Sequence, residues 1–237
     1  MDNKKGMKKG GARPGDVQAV LRPALPPGAA GVLTPQGAGQ ITTAPLAVAG
    51  RVGLVLAGGA GRRFDPSGKR YKLVQPLPDG RAVVRAACEA LLPWVDAVVV
   101  VCGARQAEIA NALAGLAWQA VPCPEAARGM GATLKHGIAA TPAASGWVVA
   151  LADMPFLAAG DIGAVVEALA DGARIARPRH EGVPGHPVGF SADCRNALLA
   201  LDDAQGAGPW LRQQADITWV AGGPGVVRDV DVPADLG

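Results

Sequence analysis

From Arg51 onward the chain alternates short apolar runs with segments of helical period, and this rhythm restricts the fold more than any other property of the sequence. Residues 52–57, 97–102, 118–121, 147–152 and 174–176 have the length and side-chain character of strands. Residues 82–92, 104–116, 131–140 and 161–170, lying between them, read as helices. A strand that is apolar at successive positions needs cover on both faces, and a helix between two strands brings the second back parallel to the first. The pattern therefore predicts an α/β domain with a mainly parallel sheet between helical layers. In such a sheet ligands gather at the carboxyl ends of the strands. Residues 178–219, which contain GVPGHPVGF and two short helical stretches, break the rhythm and read as an inserted substrate-binding lobe.

Residues 1–50 carry GARPG, LPPGAAG and TPQGAGQ and no sustained period, so they are expected to be a mostly disordered extension, with the folded domain at 51–237. The formal charge of +3 owes much to Lys4, Lys5, Lys8, Lys9 and Arg13 in that extension. Without them no basic stripe remains, and one Tyr and three Phe make no stacking platform, so nucleic acid is not an expected partner. The longest apolar runs have strand length, which gives no membrane span. Asp16, Gln18, Arg22 and Pro23 interrupt any signal-like apolar core. The four cysteines, Cys88, Cys102, Cys123 and Cys194, form no C-x-x-C pair and no zinc-ligand spacing. Free thiols in a cytoplasmic protein are the expectation, with no structural zinc.

The strongest local signal is Leu56-Ala57-Gly58-Gly59-Ala60-Gly61-Arg62-Arg63, directly after the first strand. Glycines let backbone N–H groups close around phosphate oxygens, and the arginines add positive charge. The run is neither a Walker A sequence nor a dinucleotide fingerprint, and read alone it is equally a structural turn. Lys72, in Arg70-Tyr71-Lys72-Leu73, can reach the same polyphosphate as Arg63; alone, either would be a solvated surface cation. Asp153, in Asp153-Met154-Pro155, stands at the carboxyl end of the strand 147–152, where a carboxylate can hold Mg²⁺ or simply close a turn. Asp231, in Arg228-Asp229-Val230-Asp231-Val232-Pro233, is a further carboxylate that would complete a divalent-metal site if it converged with Asp153. Gly129-Met130-Gly131-Ala132-Thr133 reads as a helix start whose free N–H groups suit a phosphate or a base, or as an ordinary capped helix.

LAGGAGRR, the downstream Lys72, GMGATLKHG, ADMP, GHPVGF and DVDVPADL stand in an order that resembles the molybdenum-cofactor nucleotidyltransferases, most closely their cytidylyltransferase branch, over residues 51–236. The resemblance implies a Rossmann-like, three-layer nucleotidyltransferase fold. It implies transfer of a nucleoside monophosphate from an NTP, CTP in preference, to molybdopterin with release of pyrophosphate. Lys72, Arg63 and Asp153 would be the catalytic residues, and Asp153 with Asp231 would hold Mg²⁺. Leu56, Ala57, Gly58, Gly59, Gly61, Arg63, Lys72, Gly131 and Thr133 would line the nucleotide, and His186 would meet the pterin-side substrate. A molybdoenzyme or its maturation chaperone is the implied downstream partner. His136 and His180 are given no role beyond surface positions.

Other readings stay open beside this one: a guanylyltransferase or a sugar-phosphate nucleotidyltransferase of the same superfamily, or a cofactor-binding chaperone without turnover. The pair Gly58-Gly59 is that of the guanylyl branch, and the missing Cβ at Gly58 is expected to open room near the base. The family's Asn before the Gly-Met-Gly motif is Cys123 here, its Ser is Thr133, and residues 64–68 lengthen the first loop.

Overall fold

The computed structural model describes residues 44–237. The expected disorder of residues 1–43 lies outside the described residues. Ahead of Arg51 the Leu46 N–H donates to the Ala140 carbonyl over 2.7 Å, and Val48 is buried. Residues 46–48 therefore pack with the domain.

Among the described residues eight strands form one sheet: β1 (Arg51–Ala57), β2 (Ala97–Cys102), β3 (Gln119–Pro122), β4 (Gly146–Leu151), β5 (Ile175–His180), β6 (Val183–Pro184), β7 (Val188–Ser191) and β8 (Ile217–Ala221). The helices are α1 (Val83–Leu91), α2 (Gln106–Ala112), α3 (Met130–Ala140), α4 (Ala159–Ala170), α5 (Arg195–Leu199) and α6 (Gly208–Leu211). The strand order is β3-β2-β1-β4-β7-β5-β6, with β8 on β5. The first four strands are parallel, β7 runs antiparallel to β4 and β5, and β8 is parallel to β5.

Successive strand residues face opposite sides of a sheet, and the two cores divide accordingly. Val55, Ala57, Val98, Val100, Val148 and Ala150 pack with Val83, Val84, Cys88 and Leu91 of α1, Ile109 of α2 and Ile162 of α4. Val52, Leu54, Leu56, Val99, Val101, Trp147 and Val149 pack with Leu134 and Ile138 of α3 and Leu198 of α5. The three-layer α/β expectation is met.

Residues 178–219 do not form a separate lobe. They supply β6, β7, most of β8 and the end of β5 to the same sheet, with Trp147 of β4 opposite Phe190 of β7. Two features hide these strands in the sequence. β7 alternates Val188 and Phe190 with Gly189 and Ser191, too short a run to set a period, and Gly185, His186 and Pro187, with a cis bond between His186 and Pro187, divide it from β6. Among the described residues no helix is long and apolar enough to cross a membrane.

The chain winds from β1 outward to β2 and β3, then crosses back to place β4 on the other side of β1. Strand order reverses at the β1–β4 pair, and the loops leaving their carboxyl ends diverge there to leave a crevice.

Candidate active site

The loop leaving β1 spans this crevice. Gly59 has open space where a Cβ would stand, and Gly61 adopts φ +66°, a left-handed conformation that side chains disfavour. None of the N–H groups of Gly59, Ala60 and Gly61 donates to another described residue. Neighbouring free amides on a turn of this kind form a nest for an anion. The inserted stretch is folded by Asp65, whose carboxylate accepts from the N–H groups of Ser67 and Arg70 at 2.9 and 2.7 Å. Arg105 grips it from the β2–α2 loop, donating to the Gly68 carbonyl at 3.0 Å and lying 4.5 Å over the Tyr71 ring. Phe64 and Tyr71 are buried, so the extra residues anchor the loop.

Lys72 opens a short 3-10 turn over Lys72–Val74, and its side chain is buried. Its Nζ donates to Asp153 Oδ2 at 2.6 Å, to the Val230 carbonyl at 3.0 Å and, more weakly, to Asp231 Oδ1 at 3.5 Å. Arg63, largely exposed, pairs with the other oxygen of Asp231. Asp153 follows β4, at the carboxyl end of the sheet. The C-terminal segment reaches it through Val230, which is fully buried and whose N–H donates to the Asp153 carbonyl over 2.8 Å. Arg228 and Val232 on either side are extended, so the residues flanking buried Val230 turn to its opposite face. Asp229 and Asp231 consequently accompany each other to Asp153. Asp235 fixes this arrangement by accepting from the N–H groups of both Asp231 and Val232 at 2.8 Å, bonds that hold its own carboxyl below the usual range.

One carboxylate oxygen from each of Asp153, Asp229 and Asp231 lies within 4.8 Å of the others. Partial desolvation, and then the charges of Asp231 and Asp153, push the carboxyl of exposed Asp229 up. Lys72 and Arg63 offset part of this negative charge, and an all-carboxylate set also suits a hard divalent ion that takes oxygen ligands, Mg²⁺ among them. Asp229 is absent from the expected set. The signal that finds it is the Asp-Val-Asp alternation, which on an extended segment puts both carboxylates on one face.

The cleft here has a volume of about 350 Å³ and is lined by Leu56, Gly59, Gly61, Arg63, Lys72, Asp153 and Asp231, among others. Other expected residues lie elsewhere. Ala57 is buried in the core behind the loop. A Cβ at Gly58 would run into the Thr133 hydroxyl, with Ala126 Cβ 3.1 Å away. The room expected near the base is therefore filled by protein, and buried Thr133 backs the loop from behind. Gly131 is also enclosed: a Cβ there would strike the Asp202 carbonyl, and the N–H of Ala132 is taken by the Asp203 carbonyl at 3.1 Å. The start of α3 is thus capped by residues 202–203 of this same chain. His186 is half-buried beside Arg177, and burial followed by that guanidinium pushes its imidazolium down to about 4, leaving the ring neutral at pH 7. Its backbone N–H donates to Val226 O at 2.8 Å.

Solved structures with this fold include Rv0371c from Mycobacterium tuberculosis, at 24% identity and TM-score 0.65, covering 78% of this chain and 94% of that one. A nucleotidyl transferase from Methanothermobacter gives 23% identity and TM-score 0.68, with 78% and 93% covered. The molybdopterin-guanine dinucleotide biosynthesis protein A of Archaeoglobus fulgidus gives 20% and 0.57, with 78% and 94% covered. Among curated proteins none matches. Residues 53–217, the stretch from β1 to the start of β8, match the MobA-like NTP transferase domain, and the chain belongs to that family.

Proposed function

We propose that the protein transfers a nucleoside monophosphate from an NTP, CTP in preference to GTP, to the terminal phosphate of a molybdopterin-type acceptor, releasing pyrophosphate, with Mg²⁺ as its metal. The observation that carries this reading is the convergence of Lys72, Asp153, Asp229 and Asp231 beside a loop of free amides at the switch point of the sheet. Membership of an NTP transferase family supports the reaction class. A structure of Rv0371c described as a complex with manganese supports a divalent ion in this fold. The preference for CTP and for a pterin acceptor rests on the resemblance of GMGATLKHG, GHPVGF and DVDVPADL to the cytidylyl branch.

An acceptor phosphate oxygen attacks the α-phosphorus of the NTP, the bond from that phosphorus to the bridging oxygen breaks, and pyrophosphate leaves with the electron pair. A phosphate monoester loses its second proton near pH ~6, so the attacking oxygen is already anionic at neutral pH and needs no general base. The chain's residues therefore supply alignment and positive charge. Asp153 and Asp231, with Asp229 beside them, would hold Mg²⁺, which would neutralise charge building on the phosphates. An ammonium has three donors, and Lys72 spends them on three protein acceptors. The 3.5 Å contact to Asp231 is the weakest, so it is the one exchanged for a phosphate oxygen. Arg63 leaves Asp231 as readily, because an exposed ion pair contributes only about 0–1 kcal/mol. Amides of Gly59, Ala60 and Gly61 then close on the leaving pyrophosphate.

The pair Gly58-Gly59 favours a second reading, transfer from GTP. Pyrophosphate release is measured with CTP or GTP, each with molybdopterin, with and without Mg²⁺. The expected result is metal-dependent release with a higher kcat/KM for CTP. A higher value for GTP moves the protein to the guanylyl reading, and no release with either nucleotide overturns the proposal.

A further inference from the structure

A second group of metal-binding side chains stands apart from the carboxylate cluster. Cys123 directly follows β3, Glu125 lies in the short 3-10 turn over Pro124–Arg128, and His136 lies on α3. Side chains of a helix tilt toward its N-terminus, so the ring of His136 reaches back over the turn that contains Ala132. The buried thiol of Cys123 occupies that place, with Sγ 3.9 Å from the Ala132 carbonyl. Glu125 Oε2 approaches His136 Nδ1 to 4.0 Å. One ligand atom from each of the three residues lies within 4.8 Å of the others.

We propose that Cys123, Glu125 and His136 form a second cation site, selective for a borderline-soft divalent metal such as zinc. The donor set decides the metal class: sulfur, imidazole nitrogen and a carboxylate oxygen suit zinc, whereas Mg²⁺ takes oxygen alone. Charge also closes, since a thiolate and a carboxylate neutralise a dication and the imidazole adds none. Around tetrahedral zinc, bonds of ~2.0–2.3 Å separate neighbouring ligands by roughly 3.3–3.8 Å. Small rotations of exposed Glu125 and half-buried His136 close the present spacing to that range. Burial raises the Cys123 thiol above its ordinary range; metal binding would replace the thiol proton, which leaves to solvent. Three protein ligands leave a fourth position for water or a small ligand.

The site also has a place in the architecture. Ala126, in the same 3-10 turn, lies against the position a Cβ would take at Gly58. A metal tying that turn to α3 braces the wall behind the amide loop. Cys-x-Glu with the histidine on the next helix matches no zinc spacing, so only the fold reveals it.

The experiment titrates the metal-free full chain with Co²⁺ and records its absorption. A thiolate bound to Co²⁺ gives a charge-transfer band in the near ultraviolet, which oxygen ligands cannot produce. The expected result is a band that saturates at stoichiometric Co²⁺, is displaced by Zn²⁺ and persists in Asp153→Asn. Cys123→Ser should abolish it. Glu125→Gln and His136→Gln keep the thiol and change side chains outside the core, and each should weaken Co²⁺ affinity at least ~10-fold. Absence of the band from the parent protein, or unchanged affinity in both of those variants, overturns the proposal.

Discussion

Two glycine-rich segments of this chain look alike in sequence and have opposite surroundings. In the loop after β1, Gly59 faces open space and the amides from Gly59 to Gly61 donate to no other described residue. At the start of α3, Gly129 and Gly131 are filled by the protein itself: the backbone of Ala204 lies 2.6 Å from a Cβ at Gly129, and the Asp202 carbonyl occupies the place beside Gly131. The 202–205 loop is locked there. Asp202 accepts from the N–H groups of Ala204 and Gln205 at 2.9 and 3.0 Å, and Asp203 pairs with Lys135. A glycine reports that something comes close to the backbone; whether that is a ligand or another stretch of chain is decided by the fold.

The open loop after β1 borders the cleft proposed to bind the nucleotide, and Asp153→Asn is the severest test of that assignment. The amide keeps the shape of the side chain and removes the charge that faces Lys72 and would face the proposed metal. Turnover should fall at least ~100-fold, with a small shift in Tm because Asp153 keeps partial access to water. Turnover near the parental value would detach the carboxylates from the chemistry. Next in size is Gly131→Ala, which forces a methyl against the Asp202 carbonyl. It should cost about 3 kcal/mol in denaturant unfolding. Parental stability together with impaired nucleotide binding would show that the α3 start serves a ligand after all.

Much of this was legible before the fold, and the remainder was hidden for identifiable reasons. Strands β1, β2 and β4 declare themselves because they are buried on both faces and read as continuous apolar runs, Val98–Val101 above all. β8 is exposed along much of its length and β7 is half glycine and serine, so neither shows a decisive period. Within the site, Asp153 was readable from its place after an interior strand. The ion pair between Lys72 and Asp153 spans 81 residues and was not. Nor could the sequence say that Gly58 and Gly131 are used up by packing, because Thr133 and Asp202 reach them only through the path of α3 and the loop after α5.

Gly58 sits between the two regions compared, on the loop after β1 but packed against α3. Gly58→Ala should cost about 1–2 kcal/mol, since the new methyl meets the Thr133 hydroxyl and Ala126. Removing the obstacle should restore the stability: in Gly58→Ala with Thr133→Ala the combined loss should be smaller than the sum of the single losses. Additive losses would mean that the two residues do not touch, and the wall behind the loop would need another description.

Gly59→Ala should have the smallest effect on stability and separates the two kinds of glycine most directly. Its φ lies outside the left-handed region and, its chain neighbours aside, no described residue comes within 4 Å of the new methyl, so the backbone accepts alanine. Unfolding free energy should change by no more than about 0.5 kcal/mol, and toward greater stability if at all, because alanine restricts the unfolded chain. The methyl would project into the cleft that Gly59 lines, where it competes with phosphate oxygens for approach to the amides. The expected result is an unchanged Tm with a several-fold rise in nucleotide KM, measured on the same preparation as Gly131→Ala. If KM stays parental in Gly59→Ala, the free amides are not the phosphate cradle and the contrast between the two glycine segments loses its functional half.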